Sequence, residues 1–345
     1  MIGQAQRARF RVVLAVSLVV LLVAATVGVL AGSVGVDATT AWRIIGHRIF
    51  GPSVISPDWT RSQDLIIADT RLPRVLLAGC VGAGLALVGA TIQAVVRNPL
   101  AGPGILGVSA GAAVGAVAVL RFGLGGRAVL LPIAAFLGAL AAMVIVLLVA
   151  RGRGPLDPVR LVLAGVAVSS VLSALTSLMV LTSPDQSLAG QVLQWTLGGF
   201  GAARWDTLAL PVVGVALACL ALMPLSRSLN VLLTGDESAT ALGVDVGRMR
   251  FGLIVLSTLL TGILVAVSGV VGFVGLMIPH IARMLVGSDH RRMLPVALVV
   301  GAAFAIGADL VARTVMIPRE LPVGIITALV GGPYFVWLLR RTSRR

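Results

Sequence analysis

Arg71 and Arg74 stand one helical turn apart around Leu72 and Pro73, and a proline so placed suits the first turn of a helix. Two guanidinium forks at this spacing can grip carboxylates on a soluble partner, or can anchor a helix end at a membrane interface. A second charged group opens the run Leu233-Thr234-Gly235-Asp236-Glu237-Ser238-Ala239-Thr240-Ala241-Leu242-Gly243. This run reads as a short helix, capped by Thr234 or Asp236, with Glu237 in its first turn and Gly243 at its end. Such a segment is either a solvated connector or a docking element. His280, within Ile278-Pro279-His280-Ile281, reads as a packing or hydrogen-bonding group at a helix end rather than a metal ligand. Cys80 and Cys219 lie inside apolar stretches and have neither disulfide nor metal-site spacing. All 27 basic residues are arginine, so the lysine that a P-loop places on the phosphates is missing and a Walker A site is excluded. No residue pattern calls for a catalytic role, a bound metal or a cofactor.

The elements that carry these residues are apolar. Of the 345 residues 58% are hydrophobic and 12% charged, and the mean hydropathy is +1.05. A soluble domain has about 25% charged residues, so a soluble enzyme is excluded. A helix needs ~20 apolar residues to cross the ~30 Å hydrocarbon core. Runs of this kind fall at 12–32, 73–95, 105–120, 129–150, 160–182, 206–225, 250–270, 272–286, 293–312 and 323–339. The first is too long for a signal-peptide core and is expected to stay as an uncleaved span, while 272–286 is the shortest. The expected fold is therefore all-α, a single polytopic domain over 1–345 with about ten transmembrane helices. Residues 187–200 are polar enough for a partial helix at the interface. Soluble-looking segments occupy 33–70 on one side and 226–249 on the other.

Arginine placement sets the expected topology. With both termini in the cytoplasm, 17 arginines fall inside and 10 outside, the bias that positive-inside counting requires. The +14 net charge thus reflects membrane topology, with no role for nucleic acid. No Asp, Glu or Arg lies near the centre of any run: Asp309 is close to an outer end, His280 and Arg283 to an inner one. Ion-coupled transporters place such groups at mid-depth, so their absence argues against that class and against an intramembrane protease. Gly107, Gly111 and Gly115 repeat at four-residue spacing, a stripe that lets helices pack closely.

Longer motifs add a resemblance. Arg71-Leu72-Pro73-Arg74, Gly89-Ala90, Gln93, Arg97-Asn98-Pro99-Leu100-Ala101-Gly102-Pro103 and Leu106-Gly107-Val108-Ser109 closely resemble the FecCD permease family. So do Leu163 to Ala167, Gly235-Asp236-Glu237 to Leu242-Gly243, Gly272 to His280, Asp309 to Arg313 and Glu320-Leu321-Pro322-Val323-Gly324. The match runs in order from about residue 66 to the C-terminus.

The resemblance implies a ten-helix permease in the cytoplasmic membrane, of the type II ABC importer fold, paired with an identical or paralogous second permease subunit. Two cytoplasmic ATPase subunits would dock inside and an extracytoplasmic substrate-binding protein outside. The cargo would be a ferric siderophore, with haem or vitamin B12 (cobalamin) as alternatives. The resemblance assigns Gly235, Asp236, Glu237, Ala241, Leu242 and Gly243 to coupling with the ATPase, and Arg71, Arg74 and Arg313 to docking of the binding protein. Asn98 and Leu100 are implied to narrow the inner mouth of the pathway. Pro158 and Val159 occupy a second constriction where the vitamin B12 permease carries small hydroxyl residues, which moves the expected cargo away from cobalamin. An ion-coupled secondary transporter is the alternative of a different class.

Overall fold

Lipid offers an open backbone no hydrogen bonds, so each apolar run must close its own as a helix. The computed structural model describes residues 2–32, 34–151 and 157–342, and Arg153, Arg344 and Arg345 of the topology count lie outside the described residues. In chain order the helices are α1 (Ile2–Leu30), α2 (Ala38–Phe50), α3 (Arg61–Asp64), α4 (Leu72–Val96), α5 (Val108–Arg121), α6 (Arg127–Ala150), α7 (Pro158–Leu181) and α8 (Leu188–Leu197). They continue as α9 (Trp205–Leu222), α10 (Ser226–Leu232), α11 (Asp236–Ala241), α12 (Val246–Ser268), α13 (Val274–Val286), α14 (His290–Thr314) and α15 (Val323–Thr342). No strand occurs among the described residues. Among the described residues eight helices are long and apolar enough to cross a membrane, α3 and α4 joining into one of them. The third and eighth expected runs form the shorter helices α5 and α13, of 14 and 13 residues. The partial helix expected at 187–200 is α8.

Both short helices begin inside the bundle. Gly275, at the start of α13, packs against Gly89 and the Leu85 carbonyl, well along α4. Phe273, left-handed at φ 64°, turns the chain into α13 and lies against Gly331 of α15. The 3₁₀ turn Pro103–Leu106 leads into α5, and its Ile105 carbonyl touches Gly165, about two turns into α7. Non-helical backbone at membrane depth is tolerated where protein covers it, and here α4 and α7 supply the cover.

The sequence reading placed a fresh helix start at Pro73. Instead the helix runs through from α3 by way of a π-helical turn, Leu65–Arg71, in which the Leu72 amide donates to the Ile67 carbonyl five residues back. Pro73 has no amide to give and its ring would clash in a regular α turn, so the wider turn absorbs the misfit.

α4 is the central helix, with 83% of its most apolar window buried, against 17% for α1 and 22% for α7. Its neighbours approach through glycine. A methyl group on Gly82 would overlap the Gly301 carbonyl of α14, and one on Gly301 would crowd the Gly82 carbonyl in return. Gly111 of α5 and Gly138 of α6 form the same reciprocal pair, and Gly115 meets the Ala134 carbonyl. The expected stripe thus packs as such at Gly111 and Gly115. Gly107 departs from it, forming the left-handed N-cap (φ 73°) that precedes α5. Gly89→Val should disturb the α4–α13 contact and lower the midpoint of thermal unfolding in detergent micelles, by an amount equivalent to ~1–3 kcal/mol. Gly190→Ala on α8, which meets open space, should leave the midpoint unchanged or slightly raised.

Candidate functional site

The N-terminus of α1 and the C-terminal half of α15 flank the same end of α13: Arg9 donates to the Met284 carbonyl at 3.1 Å, and Tyr334 lies 6.2 Å from His280, ring to ring. This end also holds α10 and α11 and is called the terminal end, and the opposite one the distal end.

At the distal end α1, α4 and α14 converge on buried charge. Arg74 donates from Nε to both Asp309 oxygens at 3.0 Å and from a terminal nitrogen to Oδ1 at 2.9 Å. Its other terminal nitrogen reaches Glu320 at 2.8 Å. Asp309 also lies 3.5 Å from Arg313 Nε, one turn along α14. Arg313 in turn donates to the Gly28 carbonyl. Arg71 donates to the carbonyls of Val29 (3.1 Å), Leu30 (2.7 Å) and Val34. The last carbonyls of a helix lack intrahelical partners, so the C-terminus of α1 is a natural acceptor for these guanidiniums. The Arg74 and Asp309 side chains are 9% and 1% exposed, whereas Glu320 is 49% exposed.

At the terminal end Asp236 opens α11 and accepts from Arg250 of α12 at 2.8 and 3.2 Å, with Arg97 at 3.5 Å. Arg97 caps α4 in the left-handed conformation (φ 53°). Hydrogen bonding from Arg250 holds the Asp236 carboxyl below the usual carboxylate range, against the opposing effect of burial. Arg97 and residues 234–238 border a shallow groove of about 340 Å³. The Asn98 side chain accepts from the Leu100 amide at 2.9 Å, shaping the turn beside it. Asn230 of α10 bonds the His290 amide at 2.9 Å and Asp289 at 2.8 Å, tying α10 to α14. Deeper in, Gln93 links α4 to α13 by donating to the Leu276 carbonyl (3.1 Å) and accepting from Arg283 (2.9 Å).

The FecCD transport family matches residues 7–341. The chain belongs to that family. It is 45% identical over 276 residues to the "Hemin transport system permease protein HmuU" of Yersinia pestis, covering 79% of this chain and 82% of the relative. It is 44% identical over 283 residues to the "Cobalamin import system permease protein BtuC" of Halobacterium salinarum, covering 81% and 74%. Identity to the "Ferric enterobactin transport system permease protein FepD" of Escherichia coli is 40% over 313 residues, covering 89% and 92%. Among solved structures, "An inward-facing conformation of a putative metal-chelate type ABC transporter" superposes with a TM-score of 0.82 at 33% identity, covering 95% of this chain and 98% of that one.

The FecCD residues singled out in the sequence fall into three places. Gly235 to Gly243 and the Asn98–Leu100 turn are neighbours, joined through Arg97 and Asp236. Two details of the short helix need correction: Gly235 (φ 109°) is its N-cap without a side-chain cap, and Asp236 points to arginines instead of capping. Gly243 does end it with a positive φ, 82°. Pro158 and Val159 sit on a different element, the first turn of α7. Pro158 is buried there behind the Asp157 cap, and only Val159, 65% exposed, faces outward. Arg71, Arg74 and Arg313 do come together, but as a buried clamp rather than an exposed grip. Arg71 bonds the α1 carbonyls, Arg74 bonds Asp309 and Glu320, and Arg313 bonds the Gly28 carbonyl while its buried Nε makes no hydrogen bond. Sequence reasoning noted Asp309 and missed its role, although the spacings Arg71/Arg74 and Asp309/Arg313 put each pair on one helix face.

Removing Arg74 strands a buried carboxylate, which typically costs ~3–5 kcal/mol, whereas the half-exposed Glu320 pair is worth ~0.2–1 kcal/mol. Arg74→Ala should therefore lower the unfolding midpoint in micelles far more than Glu320→Gln; equal, small shifts would show that the clamp carries no stability. The lowered Asp236 value gives a pH test. Its stabilisation is complete above the unfolded value near 3.9 and is lost as pH falls through the lower folded value. Asp236→Asn should flatten the acid dependence of unfolding below about pH 4, followed by tryptophan fluorescence.

Proposed function

We propose that this chain is the membrane-spanning permease subunit of an ABC importer and that it carries a ferric siderophore across the cytoplasmic membrane. The observation that carries this reading is the superposition, over nearly the whole of both chains, on a transporter described as of metal-chelate type. ATP hydrolysis belongs to a partner, for which α11 offers a platform: a short helix with Glu237 exposed and Asp236 tied to α4 and α12. Movement of that platform would be passed directly to two membrane spans.

α7 supports the pathway half of the reading. Ser170, Ser173 and Ser177 form an exposed hydroxyl stripe at i, i+3 and i+7. Ser170 and Ser177 bond the carbonyls four residues back at 3.0 Å, so the helix satisfies its own polar groups. Small and hydroxyl residues suit close packing against a second permease subunit or a wetted route for a bulky chelate. The buried clamp would then brace the docking face for an extracytoplasmic binding protein from beneath. Haem is the second reading, favoured by the 45% identity to a hemin permease.

Deleting the gene should abolish uptake of at least one radiolabelled ferric siderophore and leave free divalent metal uptake intact. Reconstituted with its partners, the permease should move that chelate only while ATP is hydrolysed. Loss of haem or cobalamin uptake with every siderophore still entering would replace the cargo and keep the importer. Uptake driven by an ion gradient without an ATPase would overturn both.

A further inference from the structure

The segment between α1 and α4 folds into a hairpin whose two faces differ in chemistry. Ala41 and Ile44 of α2 are fully buried against the body of the protein. On the other face Trp42, Ile49 and Phe50, at i, i+7 and i+8, are 50%, 69% and 64% exposed, and Val54 beyond the helix end is 67% exposed. The polar groups of the hairpin are engaged elsewhere. Arg43 pairs with Asp58 and lies 6.0 Å from the Trp59 ring centre. Arg48 bonds Asp64 at 2.7 Å and lies 3.6 Å from Asp69, and His47 Nδ1 meets the Ile55 carbonyl at 2.7 Å. Asp37 caps the start of α2 by accepting from the Thr39 amide at 3.0 Å.

We propose that the Trp42–Ile49–Phe50–Val54 face of α2 lies in the headgroup region of the lipid bilayer, as an anchor for the distal end of the permease. The partner is the membrane surface, for two reasons on the molecule itself. First, α2 follows directly on the apolar helix α1, whose Val16, Val19, Val20, Leu22 and Val23 are all more than half exposed. Seven residues separate the end of α1 from the start of α2, which puts α2 near the depth where hydrocarbon gives way to headgroups. Second, its composition is that of an interfacial helix: a tryptophan and large apolar side chains on one face, arginines at the flank. A face that sought a soluble, charged partner would carry free charge, and the two arginines of α2 are paired with Asp58, Asp64 and Asp69 within the hairpin.

The test uses nitroxide labels at Ile49→Cys and Phe50→Cys, in a Cys80→Ala, Cys219→Ala background, with the chain in lipid nanodiscs. Val23→Cys on α1 serves as the lipid control and Ser238→Cys on α11 as the aqueous one. Collision with molecular oxygen, which concentrates among acyl chains, is compared with collision by a neutral, water-soluble nickel chelate. Labels at 49 and 50 are expected to fall between the two controls, more accessible to oxygen relative to the nickel chelate than at 238 and less so than at 23. Preference for the nickel chelate, as at 238, overturns the proposal. Exclusion of both reagents, with dipolar broadening between labels on two chains, overturns it in favour of a contact between copies.

Discussion

Helices in lipid gain nothing from hiding apolar surface from one another, because the acyl chains are as apolar as leucine. What holds this bundle is the closeness that glycine permits. Gly82 against Gly301, Gly89 against Gly275 and Gly111 against Gly138 bring backbone onto backbone, where a single methyl group would not fit. Close packing gathers many small dispersion contacts that a looser bundle would lose. The two interrupted helices depend on the same closeness. α13 can begin partway through the bundle because α4 comes near enough to cover its open start, and α5 because α7 does.

Charge is treated in opposite ways at the two ends. At the distal end the arginines and Asp309 are withdrawn from solvent and bound to one another or to α1 carbonyls, so they act as a clamp on α1, α4 and α14. At the terminal end Asp236 remains partly exposed at the tip of a short helix, tied to two spans yet open on its other side. The first arrangement suits a rigid base, the second a joint that receives a push.

Much of this was legible in the sequence. Ten apolar runs appear as ten helices, the partial helix at 188–197 lies where polarity placed it, and Gly243 has the positive φ that a helix stop requires. These features are local, set by periodicity and by single residues. The clamp was not legible as a clamp, because Arg74 and Asp309 are 235 residues apart and nothing in either neighbourhood names the other. The same holds for Gln93 with Arg283, 190 residues away. The π turn before Pro73 escaped notice for another reason: a proline reads as a helix start unless one knows that the preceding residues are already helical. Burial of Pro158 likewise depends on how α7 meets its neighbours, which no spacing reveals.

The distance in sequence between Arg74 and its carboxylates sets an order of assembly. A chain is made from its N-terminus, so Arg71 finds the α1 carbonyls as soon as α4 arrives beside α1. Arg74 must wait while nine further helices are made before α14 brings Asp309, and longer still for Glu320. Until then its guanidinium lacks the carboxylates that hold it in the finished fold. The keystone of the distal end is thus laid almost last, and a nascent chain that stops short of α14 has Arg74 without either of its carboxylates.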